Sequence, residues 1–184
     1  MKVKQIMALA AELCGRRDVA DYLEKGLTAD AAASAREEET LLRCYNLAEN
    51  EIALDYLPLK KTEILHSDGA LAYTAFAVPP LEIFSVYGEG GEKLPFVQGE
   101  EGIRVKAGSV RVTYSYRPAV KEADDEPSVS GKAGERVLAL GTACEYALMS
   151  GLTDAAQLLD RRYRDALACA CRERGGRLKM RRWV

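Results

Sequence analysis

The chain has 184 residues, 48 % hydrophobic and 29 % charged, the mix of a globular domain that buries a core and not of a low-complexity chain. Its formal net charge of −2 gives no global pull toward nucleic acid or a membrane surface, and no apolar run approaches the roughly 18 residues of a membrane span. Five cysteines form no CxxC, and the lone histidine, His66, is far from the CxC of Cys169 and Cys171. The cysteines therefore read as small core residues of a reducing compartment, with no metal site expected.

The opening, MKVKQIMALAAELCGRR, fits a short helix better than a secretion signal, because Glu12, Arg16, Arg17 and Asp18 interrupt its apolar stretch. Val3, Ile6, Met7, Ala10 and Leu13 or Cys14 recur at helical spacing, and Gly15 ends the run. Asp18 can cap a second short helix through Leu23, closed by Gly26. A long helix is predicted from about Asp30 to Leu57, capped by Thr28 or Asp30. Stepping 100° per residue from Leu41 puts Cys44, Tyr45, Ala48, Ile52 and Tyr56 on one stripe, and Leu47, Leu54 and Leu57 on roughly the opposite side. Such a helix is covered twice, by its own chain or by a neighbouring subunit.

Pro58 blocks the helix. Strand signals come next: Thr62 to Leu65 and Leu71 to Val78 flanking a hairpin-like Ser-Asp-Gly, then Leu81 to Tyr87. The turn GEGGE leads to a short strand from Lys93 to Val97, and Ile103 to Lys106 precedes Val110 to Tyr116. In the last strand Val110, Val112, Tyr114 and Tyr116 alternate with Arg111, Thr113 and Ser115, the mark of a sheet with one packed face. Five or six antiparallel strands are expected. PAVKEADDEPSVSGK reads as an acidic loop. Ala133 to Ser150 reads as a helix with Val137, Leu140, Cys144 and Leu148 on its stripe, and Gly151 ends it. Thr153 or Asp154 caps a last helix, to about Arg174, whose stripe uses Ala155, Leu158, Leu159, Ala166, Cys169 and Ala170. The order implies an α+β fold: a helical bundle from the N- and C-terminal segments with an inserted small antiparallel β lobe. The segments are 1–57 helical, 58–118 the β lobe, 119–132 the acidic loop, 133–176 a helical hairpin, and 177–184 a basic tail.

No stretch reads as an active site. His66 and Asp68 sit in a turn, GKAGE lacks the spacing of a phosphate loop, and GEGG joins strands, so no catalytic residue and no cofactor is expected. Charge is more informative. From Arg161 onward nine Lys/Arg face only Asp165 and Glu173, whereas 37–51 and 121–126 are acidic. The basic end suits nucleic acid, an acidic groove of a protein partner with Trp183 as anchor, or plain solvation.

The strings LLRCYNLAENEIALDYLPL, VTYSYRPA and GTACEYALMSGLTDAAQLLDRRYRDAL, with a basic end bearing RRW, resemble the head-to-tail connector (adaptor, neck) proteins of tailed bacteriophages and prophages. The similarity is to the tail tubular protein A type, with a β lobe set in a helical bundle. It covers most of the chain as an architecture and residues 41–59 and 141–167 at residue level. The resemblance implies a non-catalytic ring, commonly a dodecamer, beneath the portal protein, extending the DNA channel and receiving the tail or stopper protein. The protein would reside in the virion neck, and in the host cytoplasm during assembly. Arg177, Lys179, Arg181, Arg182 and Trp183 would dock on the portal, Leu47 and Leu54 would contact neighbouring subunits, and Asp124, Asp125 and Glu126 would line the channel. Genomic DNA would pass without specific binding. The alternative is a small nucleic-acid-binding module using the basic end.

Overall fold

The computed structural model describes residues 1–28 and 30–171. The expected portal-docking residues Arg177, Lys179, Arg181, Arg182 and Trp183 lie outside these residues, as does the expected end of the last helix at about Arg174.

Helix α1 (Val3–Leu13) is stopped at Gly15, whose φ of 77° suits glycine. Helix α2 (Arg17–Lys25) starts one residue earlier than its expected cap and ends on left-handed Gly26. Helix α3 (Ala31–Glu51) is capped as expected by Asp30, whose carboxylate accepts from the Ala32 and Ala33 amides at 3.0 and 3.1 Å. It does not run unbroken to Leu57. A π-helical turn, Ile52–Tyr56, takes over, closed by the Leu57 amide donating to the Ile52 carbonyl at 2.7 Å. The wider turn absorbs one extra residue and rotates the chain beyond it. Tyr56 leaves the buried stripe and is 45 % exposed, while Leu57 swings in to pack on the core.

The β region is two three-stranded sheets. The first has the order β1-β6-β3, from β1 (Leu59–Ser67), β6 (Gly108–Tyr116) and β3 (Pro80–Gly88). The second has the order β2-β5-β4, from β2 (Ala70–Ala72), β5 (Gly102–Val105) and β4 (Phe96–Gln98). The chain does turn at Ser-Asp-Gly, but the flanking strands are not a hairpin. β1 pairs with β6 from Leu59↔Tyr116 to Ser67↔Gly108, and β2 pairs with β5. Buried Ser67 holds the corner, accepting from the Gly69 amide at 3.1 Å and donating to the Val105 carbonyl at 3.4 Å. The expected strand from Leu71 is short, because a 3-10 turn begins at Tyr73. Gly102 is required where β5 meets β2: a Cβ there would collide with the Leu71 carbonyl. The expected alternation of β6 is present, with Val110, Val112 and Tyr114 fully covered, although Ser115 is also buried. Residues Leu71, Phe76, Ile83, Val86, Ile103 and Val112 belong to a core that is separate from that of the helices.

Helix α4 (Ser130–Met149) begins inside the expected loop and is broken at Gly134, at φ 50° and ψ 159°. From Val137 to Ala147 it is buried almost all round, between α1 and α3 on one side and α5 (Thr153–Cys171) on the other. Gly141 sets the spacing, since a Cβ there would lie 3.0 Å from the Tyr163 ring and 3.1 Å from Ala48. Leu148, expected on the buried stripe, is 54 % exposed. Leu152, and not Thr153 or Asp154, is the residue whose carbonyl takes the first bond of α5, from the Ala156 amide. The buried stripe of α5 is Ala156, Leu159, Tyr163 and Leu167; of the expected stripe Leu159 is buried and Ala166 and Ala170 pack on the core, whereas Ala155, Leu158 and Cys169 face out. The fold is α+β, a helical bundle carrying an inserted antiparallel β lobe.

Candidate interaction faces

Three features of the helical half have the chemistry of interaction or anchoring. The first is the acidic loop. Its backbone serves α1, whose first amides have no partner within their own helix. Val3 donates to the Asp125 carbonyl at 2.9 Å and Lys4 to the Ala123 carbonyl at 2.8 Å. Asn46 of α3 grips the loop from the other side, accepting from the Lys121 amide at 2.7 Å and donating to its carbonyl at 3.1 Å. Glu49, only 1 % exposed, accepts from the Ser128 amide at 2.6 Å and from the Tyr45 hydroxyl at 3.1 Å. Burial, with the Glu49 carboxylate beside it, pushes the Tyr45 hydroxyl far above its ordinary value. The loop is thus strapped across α1 and α3. The side chains of Asp124, Asp125 and Glu126 are exposed along it. Asp124 pairs with Lys2 at 2.9 Å, which holds its carboxyl below the usual aspartate value, and Asp125 accepts from the Glu122 amide at 2.8 Å.

The second feature is a polar knot that sequence spacing does not reveal. Arg16 donates to Asp18 through two nitrogens, at 3.1 and 3.0 Å, to Glu37 at 3.3 Å and to the Tyr146 hydroxyl at 2.9 Å. That hydroxyl donates to Glu37 at 2.7 Å, and burial together with Glu37 pushes it up to about 12. The contacts tie α2, α3 and α4 together. Arg16 and Asp18 are neighbours at the start of α2, but only the fold brings Glu37 and Tyr146 to them, so no local pattern points to the set.

The third feature is an apolar ridge with a groove on each side. Leu47 is 48 % exposed on α3, and Met149 is 55 % exposed at the end of α4. Both line a groove with Arg43, Asn50, Arg117 and Val120. One turn along α3, Glu51 lines a second groove with Leu148, Glu145, Asp160, Arg164 and Tyr163. Burial raises the Glu51 carboxyl above its ordinary value, and Glu145, Asp55 and Asp160 add to this against the hydrogen bond from Tyr163. The flanks of the ridge thus differ in sign, basic on one side and acidic on the other. Leu54 is 38 % exposed but does not line the basic groove. The expected subunit-contact leucines, Leu47 and Leu54, are accordingly at the surface, Leu47 on the side of α3 away from its core stripe and Leu54 in the π turn beyond it.

His66 lies on β1 and faces outward beside exposed Ile64 and Thr62. Burial pushes the Cys44 thiol up to about 12 and the Cys144 thiol up to about 11, holding both in the unreactive protonated form. Among the described residues no group of three or more His, Cys, Asp or Glu could hold a metal ion, and no helix is long and apolar enough to cross a membrane. No protein-family model and no curated protein sequence matches the chain.

Proposed function

We propose that the protein is a structural subunit of a phage or prophage head-to-tail connector: a ring below the portal that extends the DNA channel and presents an attachment surface to the tail. The observation that supports this most is the arrangement itself. A bundle assembled from both ends of the chain carries a β lobe between its halves, and its long helix bears leucines on the side that its own chain leaves uncovered. In this reading Leu47 and Leu54 meet a neighbouring subunit in the ring, through one heterologous contact repeated around a closed circle. The β lobe faces the tail. In the same reading Asp124, Asp125 and Glu126 of the strapped loop line the channel, where their charge repels passing DNA. Arg177, Lys179, Arg181, Arg182 and Trp183 dock on the portal protein, with avidity across the copies.

The test is negative-stain imaging and co-purification of the full chain with its cognate portal protein. Rings capping the portal are expected, lost on deletion of 177–184 with the helical content unchanged. Portal binding indifferent to that deletion removes the docking assignment, and the absence of any portal complex removes the reading. Affinity for DNA that falls steeply with salt would instead favour a nucleic-acid-binding module.

A further inference from the structure

The apolar ridge between the two grooves has a charge order that matches its own reverse. Along α3 the surface reads Arg43, Leu47, Asn50, Glu51, with residues three and four apart on neighbouring turns. Arg43 and Glu51 stand equally far from Leu47, one on each side. A two-fold axis through Leu47 therefore sets each arginine against the other copy's glutamate in a single step, as an isologous contact requires. We propose that the free protein pairs through this face with a second copy of itself, α3 antiparallel to α3, Leu47 on the axis and Arg43 of each chain on Glu51 of the other.

Several observations favour a second copy as the occupant. Single exposed leucines are ordinary on a surface, but Leu47, Leu148 and Met149 are each about half exposed and border adjoining grooves. The basic flank carries Arg43 and Arg117, and its glutamate, Glu49, is buried and occupied by Tyr45 and Ser128. The acidic flank carries Glu51, Glu145 and Asp160 against Arg164 alone, and Arg164 is bonded to Asp160 at 2.9 Å. One chain thus presents both halves of a complementary pair. In the single chain Arg43 is held by Glu39, an exposed i,i+4 pair that costs little to give up. The like charges brought nearest, Glu39 and Asp55 of the second copy, stand at the solvated rim, where salt screens them.

This inference goes beyond the connector reading and does not rest on it. If both hold, the pair is a storage form: it covers the ridge that a ring neighbour would use and must open on the portal.

Sedimentation velocity of the full chain tests it, with circular dichroism as the check on folding. Wild type is expected at the mass of two chains. Leu47→Asp and Arg43→Glu, both at exposed positions, are expected to sediment as folded monomers, with dimer affinity reduced on the order of a hundredfold by the aspartate. Glu51→Arg alone behaves likewise. The double variant R43E/E51R recovers the dimer, as does an equimolar mixture of the two single variants. A monomeric wild type, a dimer indifferent to Arg43→Glu, or folded charge-swapped chains that fail to recover pairing would each overturn the proposal. So would a wild-type species larger than two chains that depends on Leu47. That last result would favour the ring contact, so the two readings fail separately.

Discussion

The helical half and the β lobe solve the same packing problem with different materials. The lobe is small, with a core of strand residues around Val86, Val112 and Tyr114, and the Phe76 ring meets Tyr114 edge-on at 5.0 Å between centroids. One polar atom is left over: the Tyr114 hydroxyl is enclosed without a hydrogen-bond partner among the described residues, and burial with Glu63 nearby pushes it up to about 12. The helical half leaves one too, the Asn50 amide oxygen, but ties its other buried and half-buried polar groups into sets. Glu49, Tyr45 and Ser128 form one set; Arg16, Glu37 and Tyr146 form another. Both halves leave apolar side chains outside, the bundle at Leu47, Leu148 and Met149 and the lobe at Ile64, Leu81 and Val97. The contrast teaches that the lobe's stability rests mainly on apolar burial, whereas the bundle adds polar contacts that fix the geometry between its helices.

That comparison can be broken in four ways. The largest effect is expected from Tyr114→Ala, which removes the centre of the smaller core. A loss of about 3–5 kcal/mol, confined to the lobe, would appear in amide exchange of β1, β3 and β6 while α4 and α5 stay protected. Equal loss in both halves would show that the two cores are one cooperative unit. Next is Glu49→Ala, which strands the Tyr45 hydroxyl and the Ser128 amide; about 2–3 kcal/mol is expected in denaturant melts, with exchange rising at Val3 and Lys4 as the strap loosens. Asp30→Ala should cost about 1 kcal/mol through the cap of α3 alone. The smallest effect concerns Lys2 and Asp124. The ammonium depresses the carboxyl in the folded chain, so the pair's contribution is present above the ordinary aspartate range and lost as pH falls through the lowered value. Lys2→Ala should move the Asp124 side-chain carbon titration upward in NMR with almost no change in melting.

Much of the architecture is legible in the sequence because local chemistry decides it. Asp30 caps, Gly15, Gly26 and Gly151 stop helices, and β6 alternates as its residues demand. Three things are not legible, each for a physical reason. The π turn adds its residue through a backbone bond that no side chain advertises, so regular helical stepping puts Tyr56 on the wrong face. Helix α5 carries apolar residues on two sides, and only packing against α4 selects Ala156 and Leu159 over Ala155 and Leu158. Strand partners are set by long-range register, so Ser-Asp-Gly reads as a hairpin although it links two sheets. At the candidate interface, Leu47 stands out by its angle on α3. The charged flanks do not, because Arg117, Glu145 and Asp160 join it only in the folded chain.

The lobe enters and leaves the bundle at one place. Leu59 and Tyr116 are direct partners at the first rung of β1 and β6, so the ends of a nearly sixty-residue excursion lie only about 5 Å apart. A short peptide bridge could replace everything between them without moving a helix. The bundle is therefore expected to stay folded when the lobe is cut out and its two ends are joined, as circular dichroism of the shortened chain would show.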